Sequence, residues 1–472
     1  MRTLYTADYL VTMDAAGTVI RDGALLVDGS RIEATGPAAD LQPAAAENGT
    51  PVRKLDDRLL MPGLVNTHLH SGLLRGTAEH LPVWEWLRVH VDPMHRVLRP
   101  DEAEAAAWLC YAESILSGTT TVVDMWRYLD GAVRAATRLG NRLVTVNYTG
   151  AHPEHGYFDT PDDNERLLRT AHGTARGRID VWVGLEHPFY ADAAGLRRLI
   201  AMARDYGTGL YTHCSESSTE PPEFEQRYGL RPMFALEALG FFTAPKTMIA
   251  HGVWLDSAEI EFLAQRGAGV AHNPVSNMKL ASGMAPVEEY LAAGVNVGLG
   301  TDGEKENNNL DMFEEMKTAS LLAKLRAMNA AALDSWQVLR LATTGGAAAL
   351  HLDDQIGSLE PGKKADFIAV RTDTPRMTPL LGDGPHANLH HNLVHAVRGG
   401  DVDLVVIDGA VTAESGRLAN ADLAELIARV RGLAPGLFAR RADYLAAQDG
   451  SAPAARSEKP EDQYSERARD PA

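Results

Sequence analysis

Two histidines, two residues apart, close an apolar run in the stretch LVNTHLHSGLLRGTAE, Leu64 to Glu79. Period-two geometry puts His68 and His70 on one face of a strand. Further along, His187, His213, His251 and His272 each stand at or near the end of an apolar segment, and Asp302 follows VNVGLG. Imidazoles with a carboxylate suit a borderline divalent metal such as zinc. Three histidines and one aspartate leave room for a water, which a divalent metal turns into a nucleophile at neutral pH. Each residue alone has a plainer reading. A lone H-x-H is weak, a single histidine is more often a satisfied core residue, and Asp before Gly is turn chemistry. Joint placement at successive strand ends is what favours a metal centre.

The surrounding elements must bring these side chains together. From Leu59 to about Leu350, strand-like and helix-like segments alternate. Eight strand candidates read LLMPGLVNTHLH, TTTVVDMW, RLVTVNYTG, IDVWVGLEHP, GLYTHCSE, TMIAHGVWL, GAGVAHNPVS and VNVGLGTDG. Runs such as DEAEAAAWLCYAESILS and DSAEIEFLAQRG have helical spacing, and Asp256 to Glu259 reads as a helix start. Eight β/α units predict an α/β fold, a (β/α)8 TIM barrel, with a doubly wound sheet as the alternative. In such a barrel the C-terminal strand ends form the active face, so polar residues from six strands would converge there.

Residues 1–58 read as short strands and turns with no convincing helix, and are too few for a core of their own. IGSLEPGKKADFIAV and VDLVVIDGAVTAESGRL return to that texture after the barrel. The expected organisation is a composite β-sandwich, made of residues 1–58 and 359–450, around a barrel of residues 59–358. A helix is expected over 419–446. The tail, 451–472, is rich in Pro, Ala and charge and is expected to be disordered.

The chain of 472 residues exceeds one simple core. Its formal net charge of −18 argues against nucleic acid or an anionic membrane as partner. Two cysteines, Cys110 and Cys214, exclude a disulfide scaffold and a Cys-based zinc site and fit a reducing compartment. Without a leader pattern or a long apolar run, a cytoplasmic location is expected. GLGTDG matches G-x-G-x-x-G, but it follows the eighth strand and enters the polar EKENNNLD, so no dinucleotide is expected. His386, His390, His391 and His395 look like a second metal cluster, yet fall after the barrel and are read as packing or interface residues. Asp124 is read as structural, and Trp84, Trp126 and Trp254 are open between pocket wall and core.

MPGLVNTHLH, THCSE, IAHGVWL, VAHNPVSNMKLASGMAPV, GLGTDG and GSLEPGKKADFIAV together resemble the amidohydrolase superfamily. The nearest branch is the cytosine-deaminase-like one, with its S-adenosylhomocysteine/methylthioadenosine deaminases and s-triazine chlorohydrolases. The resemblance runs from about Thr3 to Leu418. It implies a barrel with a composite β-sandwich and one divalent metal, zinc or sometimes iron, on His68, His70, His213 and Asp302. It further implies that Asp302 takes a proton from the water, Glu216 carries it to a ring nitrogen, and His251 steadies the developing oxyanion. No lysine follows the strand-4 pattern of a two-metal centre, so a mononuclear site is expected.

The implied reaction is hydrolytic deamination of an aminated nitrogen heterocycle, either an adenosine-type nucleoside or a related base. An s-triazine chlorohydrolase or aminohydrolase is the alternative, and a non-catalytic scaffold is disfavoured by the full ligand set. LLRGTAEHLPVWEWL resembles the substrate loop of the adenosylhomocysteine deaminases, with Trp86 near the substrate and His187 near the base or ribose. Two positions depart: His95 stands for the glutamate that grips the ribose, and Asn147 for an arginine. Both are candidate substrate contacts, and the lost carboxylate weakens the case for a ribose. Glu304, Lys305 and Glu306 could line the pocket, but are expected rather to be solvated loop charges. A small heterocycle and water are the expected partners, in a homo-oligomer (dimer or tetramer) by analogy.

Overall fold

Four strands open the chain: β1 (Arg2–Val11), β2 (Val19–Asp28), β3 (Arg31–Pro37) and β4 (Val52–Pro62). They belong to a computed structural model that describes residues 2–152 and 155–448. The tail expected to be disordered, 451–472, lies outside the described residues. A helix, Ala38–Glu47, interrupts the strands where none was expected. Pro43 inside it and a single buried side chain, Ala45, hide the helical signal, while its five alanines supply the propensity.

The run Leu59–His70, read as one strand, is two. β4 ends at Pro62, and Gly63 passes the chain into the barrel. A Cβ on Gly63 would lie 2.1 Å from the Thr120 side chain, so only glycine fits that crossing.

Eight strands follow: β5 (Leu64–Leu69), β6 (Thr119–Trp126), β7 (Arg142–Asn147), β8 (Ile179–Leu185), β9 (Gly209–Cys214), β10 (Lys246–His251), β11 (Gly269–His272) and β12 (Asn296–Leu299). They pair parallel in chain order, with no reversal of the kind a doubly wound sheet needs. β12 returns to β5: Thr67 Oγ1 donates to Leu299 O at 2.9 Å and the Asp302 amide to His68 O at 3.0 Å. Helices such as Pro100–Leu116 and Ser257–Arg266 separate the strands. The second starts on the expected box, with Asp256 Oδ1 accepting from the Glu259 amide at 3.0 Å.

After the barrel come β13 (Phe367–Arg371), β14 (Val402–Ile407), β15 (Ala410–Glu414) and β16 (Arg417–Leu418). Both chain ends meet in one mixed sheet, ordered β16-β15-β14-β13-β4-β1-β2-β3. One core cluster spans the join, with Tyr5 edge-on to Phe367 at 4.9 Å and Leu10, Leu60 and Val406 buried around them. This sheet grips the start of the barrel strands. Arg142 Nε and Nη2 donate to Asp366 Oδ2 at 3.0 and 2.9 Å, and the Asp408 amide donates to Asp366 Oδ1 at 2.7 Å.

The last helix, Leu423–Gln448, packs on Pro100–Leu116 through Arg440 and Glu102. In the helix Leu389–His395, His391 Nδ1 lies 2.9 Å from Ser335 Oγ and His390 stacks on Trp336 at 4.9 Å, so these histidines pack as expected. Among the described residues no helix is long and apolar enough to cross a membrane.

Candidate active site

His68 lies on β5 and His70 one residue past it, His213 lies on β9, His251 ends β10, and Asp302 stands three residues beyond β12. All five are buried at one end of the barrel. Gly300 lets the β12 end approach β5, since a Cβ there would lie 2.8 Å from the His68 Cβ and 2.4 Å from Asn273 Oδ1. His213 Nε2 is 3.2 Å from Nε2 of both His68 and His70. Asp302 Oδ1 is 3.5 Å from His68 Nε2 and 3.3 Å from His70 Nε2.

The far nitrogens decide what these atoms can do. His70 Nδ1 bonds the Met125 carbonyl and His213 Nδ1 the Glu186 carbonyl at 2.6 Å. A carbonyl only accepts, so both Nδ1 atoms carry the proton and both Nε2 lone pairs face inward. Tyr211 donates its hydroxyl to Thr67 O at 3.1 Å and takes His68 Nδ1 at 3.0 Å, which fixes His68 the same way. Burial, reinforced by Lys305 for His70 and by the neighbouring imidazoles, holds His70 and His213 well below the usual histidine range. Three neutral lone pairs converging at such distances repel one another unless a cation lies among them. The donor set therefore fits a divalent metal, and two overlapping groups, His68–His70–Asp302 and His68–His213–His251, have ligand atoms close enough to share one. Asp302 turns Oδ1 toward the same point. Its Oδ2 accepts from Ser276 at 2.7 Å.

Glu216 follows β9 in a turn organised by Glu220. That carboxylate accepts the amides of Ser215, Glu216 and Ser217 at 2.6, 2.8 and 2.9 Å. Glu220 Oε2 also takes His187 Nε2 at 3.0 Å. Glu216 Oε1 accepts from Ser282 at 2.9 Å, and its Oε2 is 3.5 Å from His251 Nε2. Burial pushes Glu216 up to about 7, against the pull of His251, where a carboxyl exchanges protons at neutral pH. His251 Nδ1 donates to Asn277 Oδ1 at 3.0 Å, which aims Nε2 at Glu216 and at Asp302 Oδ2, 3.9 Å away. Ser215, His251 and Asp302 all hold left-handed backbone, with φ of 57°, 74° and 59°. Non-glycine residues pay strain for that conformation, and three of them hold it at the site.

A cavity opens onto these groups, walled by Trp84, Trp86, Leu87, Tyr148 and Leu280 and edged by His187, Glu186 and Glu306. Two expected contacts do not reach it. Asn147 Nδ2 donates to Asp159 Oδ2 at 2.8 Å on the outer side of β7, because the next residue, Tyr148, takes the inward face. His95 stacks on Tyr148 at 4.6 Å and touches Trp126 at 4.6 Å, so an aromatic layer stands between it and the cavity.

The solvated reading of Glu304, Lys305 and Glu306 is also overturned, since all three are buried. Lys305 Nζ lies 2.7 Å from Glu306 Oε1 and 4.7 Å above the Trp126 ring, which replaces the water it gave up. Asp124 is structural, taking the Ser71 amide at 3.1 Å, the Ser71 hydroxyl at 2.6 Å and Tyr111 at 2.5 Å, and so fixes the turn after His70. Trp126 is core. Trp254 is exposed on the rim, with Nε1 on Ser282 O at 2.7 Å.

A (β/α)8 barrel that gathers imidazoles and a carboxylate at its C-terminal strand ends has the architecture of a metal-dependent hydrolase. The chain belongs to the amidohydrolase family, whose sequence model matches residues 59–412. It is 39% identical to a 5-methylthioadenosine/S-adenosylhomocysteine deaminase of Nitratidesulfovibrio vulgaris, over 91% of this chain and 96% of that protein. An adenosine deaminase from Xanthomonas campestris, solved with bound zinc, superposes with a TM-score of 0.84 at 32% identity, over 93% of this chain and 98% of that one. A zinc-bound atrazine chlorohydrolase from Arthrobacter aurescens gives a TM-score of 0.80 at 26% identity, over 91% and 99%.

Proposed function

We propose that this chain is a metal-dependent aminohydrolase that removes an amino group from a nitrogen heterocycle, with adenosine-type nucleosides as the first substrate class. One observation carries the reading: three inward Nε2 atoms and Asp302 Oδ1 meet the Glu216 carboxyl at one buried cavity. His68, His70, His213 and Asp302 would hold a single divalent ion, zinc as in the Xanthomonas relative. When bound, such an ion acidifies a water and stabilises negative charge on oxygen.

The chain's own groups do the rest. Asp302 Oδ2 accepts a proton from the attacking water. Glu216 Oε2 delivers a proton to the ring nitrogen beside the attacked carbon, relieving the negative charge that addition creates. His251 Nε2, held by Asn277, steadies the new oxygen. Trp86 and His187 flank the ring. Asp302 then passes the water proton to the amino nitrogen, the hydroxyl proton of the adduct returns to Glu216 as the carbonyl forms, and the C–N bond breaks to release ammonia. The free volume of the cavity is about 30 Å³, against roughly 300 Å³ or more for ordinary ligand sites. Substrate entry therefore requires the covering segment, residues 83–91, to shift. A cytoplasmic homo-oligomer belongs to the same reading, by analogy with the family.

The test is ammonia and chloride release by zinc-loaded protein. The panel is adenosine, methylthioadenosine, S-adenosylhomocysteine, guanine, cytosine, melamine and a chlorotriazine. Ammonia from a nucleoside, lost on chelation and restored by zinc, is the expected result. Chloride from the chlorotriazine with no ammonia from any nucleoside or base would instead favour the reading suggested by the chlorohydrolase fold match.

A further inference from the structure

Glu186 immediately follows β8 and was not among the residues expected to act. Its main-chain carbonyl is occupied by His213 Nδ1. Its carboxyl Oε1 accepts the Tyr148 hydroxyl at 3.0 Å. Its Oε2 is buried and meets no donor among the described residues. The residue is 3% exposed and forms part of the cavity wall.

Every other carboxyl on that wall is answered. Glu220 has three amides and His187. Glu306 has Lys305, Glu216 has Ser282, and Asp302 has Ser276. Other buried acceptors in the structure lack a partner, but among the described residues that line this cavity Glu186 Oε2 is the one that does, and an orphan at a ligand cavity marks where the ligand supplies the partner. A wall carrying five carboxyl groups also favours a visitor rich in N–H and O–H.

We propose that Glu186 Oε2 accepts a hydrogen bond from a substrate donor other than the departing amine, making Glu186 a specificity-determining residue. The inference rests on the aminohydrolase reading and sharpens it. The carboxylate that resemblance sought at His95 is supplied to this cavity from the end of β8. The donor is a sugar hydroxyl or a second N–H on the ring, and both present the same chemistry to Oε2.

A cycle of enzyme and substrate truncations tests this. Glu186→Leu and wild type are compared on adenosine against 2',3'-dideoxyadenosine, and on 2,6-diaminopurine riboside against adenosine. Glu186→Leu should raise KM roughly tenfold to hundredfold for the donor-bearing member of one pair and leave its truncated partner unchanged. The value of kcat should move far less. The pair that shows the coupling identifies the donor. Glu186→Gln keeps an acceptor and should recover most of the loss.

Equal losses on all substrates would assign Glu186 a purely structural role, and unchanged KM throughout would remove it from the contact. If the leucine variant fails to hold zinc, Glu186→Gln carries the same cycle with a smaller coupling. Failure of the wild type to release ammonia from any substrate would overturn the aminohydrolase reading rather than this assignment.

Discussion

At the end where the barrel strands begin, Arg142 sets two guanidinium nitrogens on Asp366, which also takes the Asp408 amide. Lys364 lies 3.0 Å from Asp408. Each buried charge there has an opposite charge and hydrogen bonds in hand. At the far end, three imidazole nitrogens face one another and Glu186 Oε2 lacks a donor. The ion pairs of the first end are closed by the chain alone. The second is finished only by something the chain does not encode. Both are buried, so burial of polar groups does not mark a site; unpaired groups that converge on a cavity do.

Glu216→Gln should lower kcat by about 10²–10⁴ with zinc content and thermal midpoint unchanged, because it removes a proton carrier and no packing. Normal turnover by that variant would remove Glu216 from the chemistry.

The opposite end should show the mirror image. Arg142→Ala leaves Asp366 buried beside no cation and should cost about 3–5 kcal/mol in denaturant unfolding. The turnover of the folded fraction should stay at the wild-type value. A large fall in kcat at full folding would show that the two ends are coupled.

Asp124 sharpens the contrast with the smallest effect. Burial raises it from an ordinary 3.8 to about 6, with Ser71 and Tyr111 opposing. The folded state thus holds a proton that the unfolded state releases, and the associated stability fades as pH rises from about 4 to about 6. Asp124→Asn cannot titrate. The difference in thermal midpoint between variant and wild type should therefore drift by about 1–3 °C across that window and level off above it. A difference independent of pH would show that Asp124 is not the titrating group.

Periodic signals were the most readable part of the chain. All eight barrel segments stood out because a strand buried on both faces is a dense apolar run closed by a polar residue, as in IDVWVGLEHP. The inward histidines followed from that register. What escaped depends on neighbours distant in sequence. Nothing local to Tyr211 says that its hydroxyl meets His68. Lys305 looks like a loop charge until Trp126, 179 residues earlier in sequence, lies beneath it. Asn147 and Tyr148 are adjacent, and only the exact end of β7 decides which faces the cavity. Glu186 does carry a local signal, a carboxylate directly before the rim histidine His187.

The seam between the chain ends has a consequence for biosynthesis. β4 lies between β1 and β13, with Ala369 opposite Leu60 and Phe367 opposite Pro62. On a ribosome, β4 emerges about 300 residues before its neighbour. At roughly 5–20 residues per second, that leaves one flank of β4 open for roughly 15–60 s. During that interval the nascent sheet offers a row of unclaimed amides and carbonyls, the kind of surface that recruits other nascent chains. Translation stalled or truncated before Phe367 should yield a product in which the barrel's strands are all present yet that edge stays open, so the last fifth of the message also guards the first.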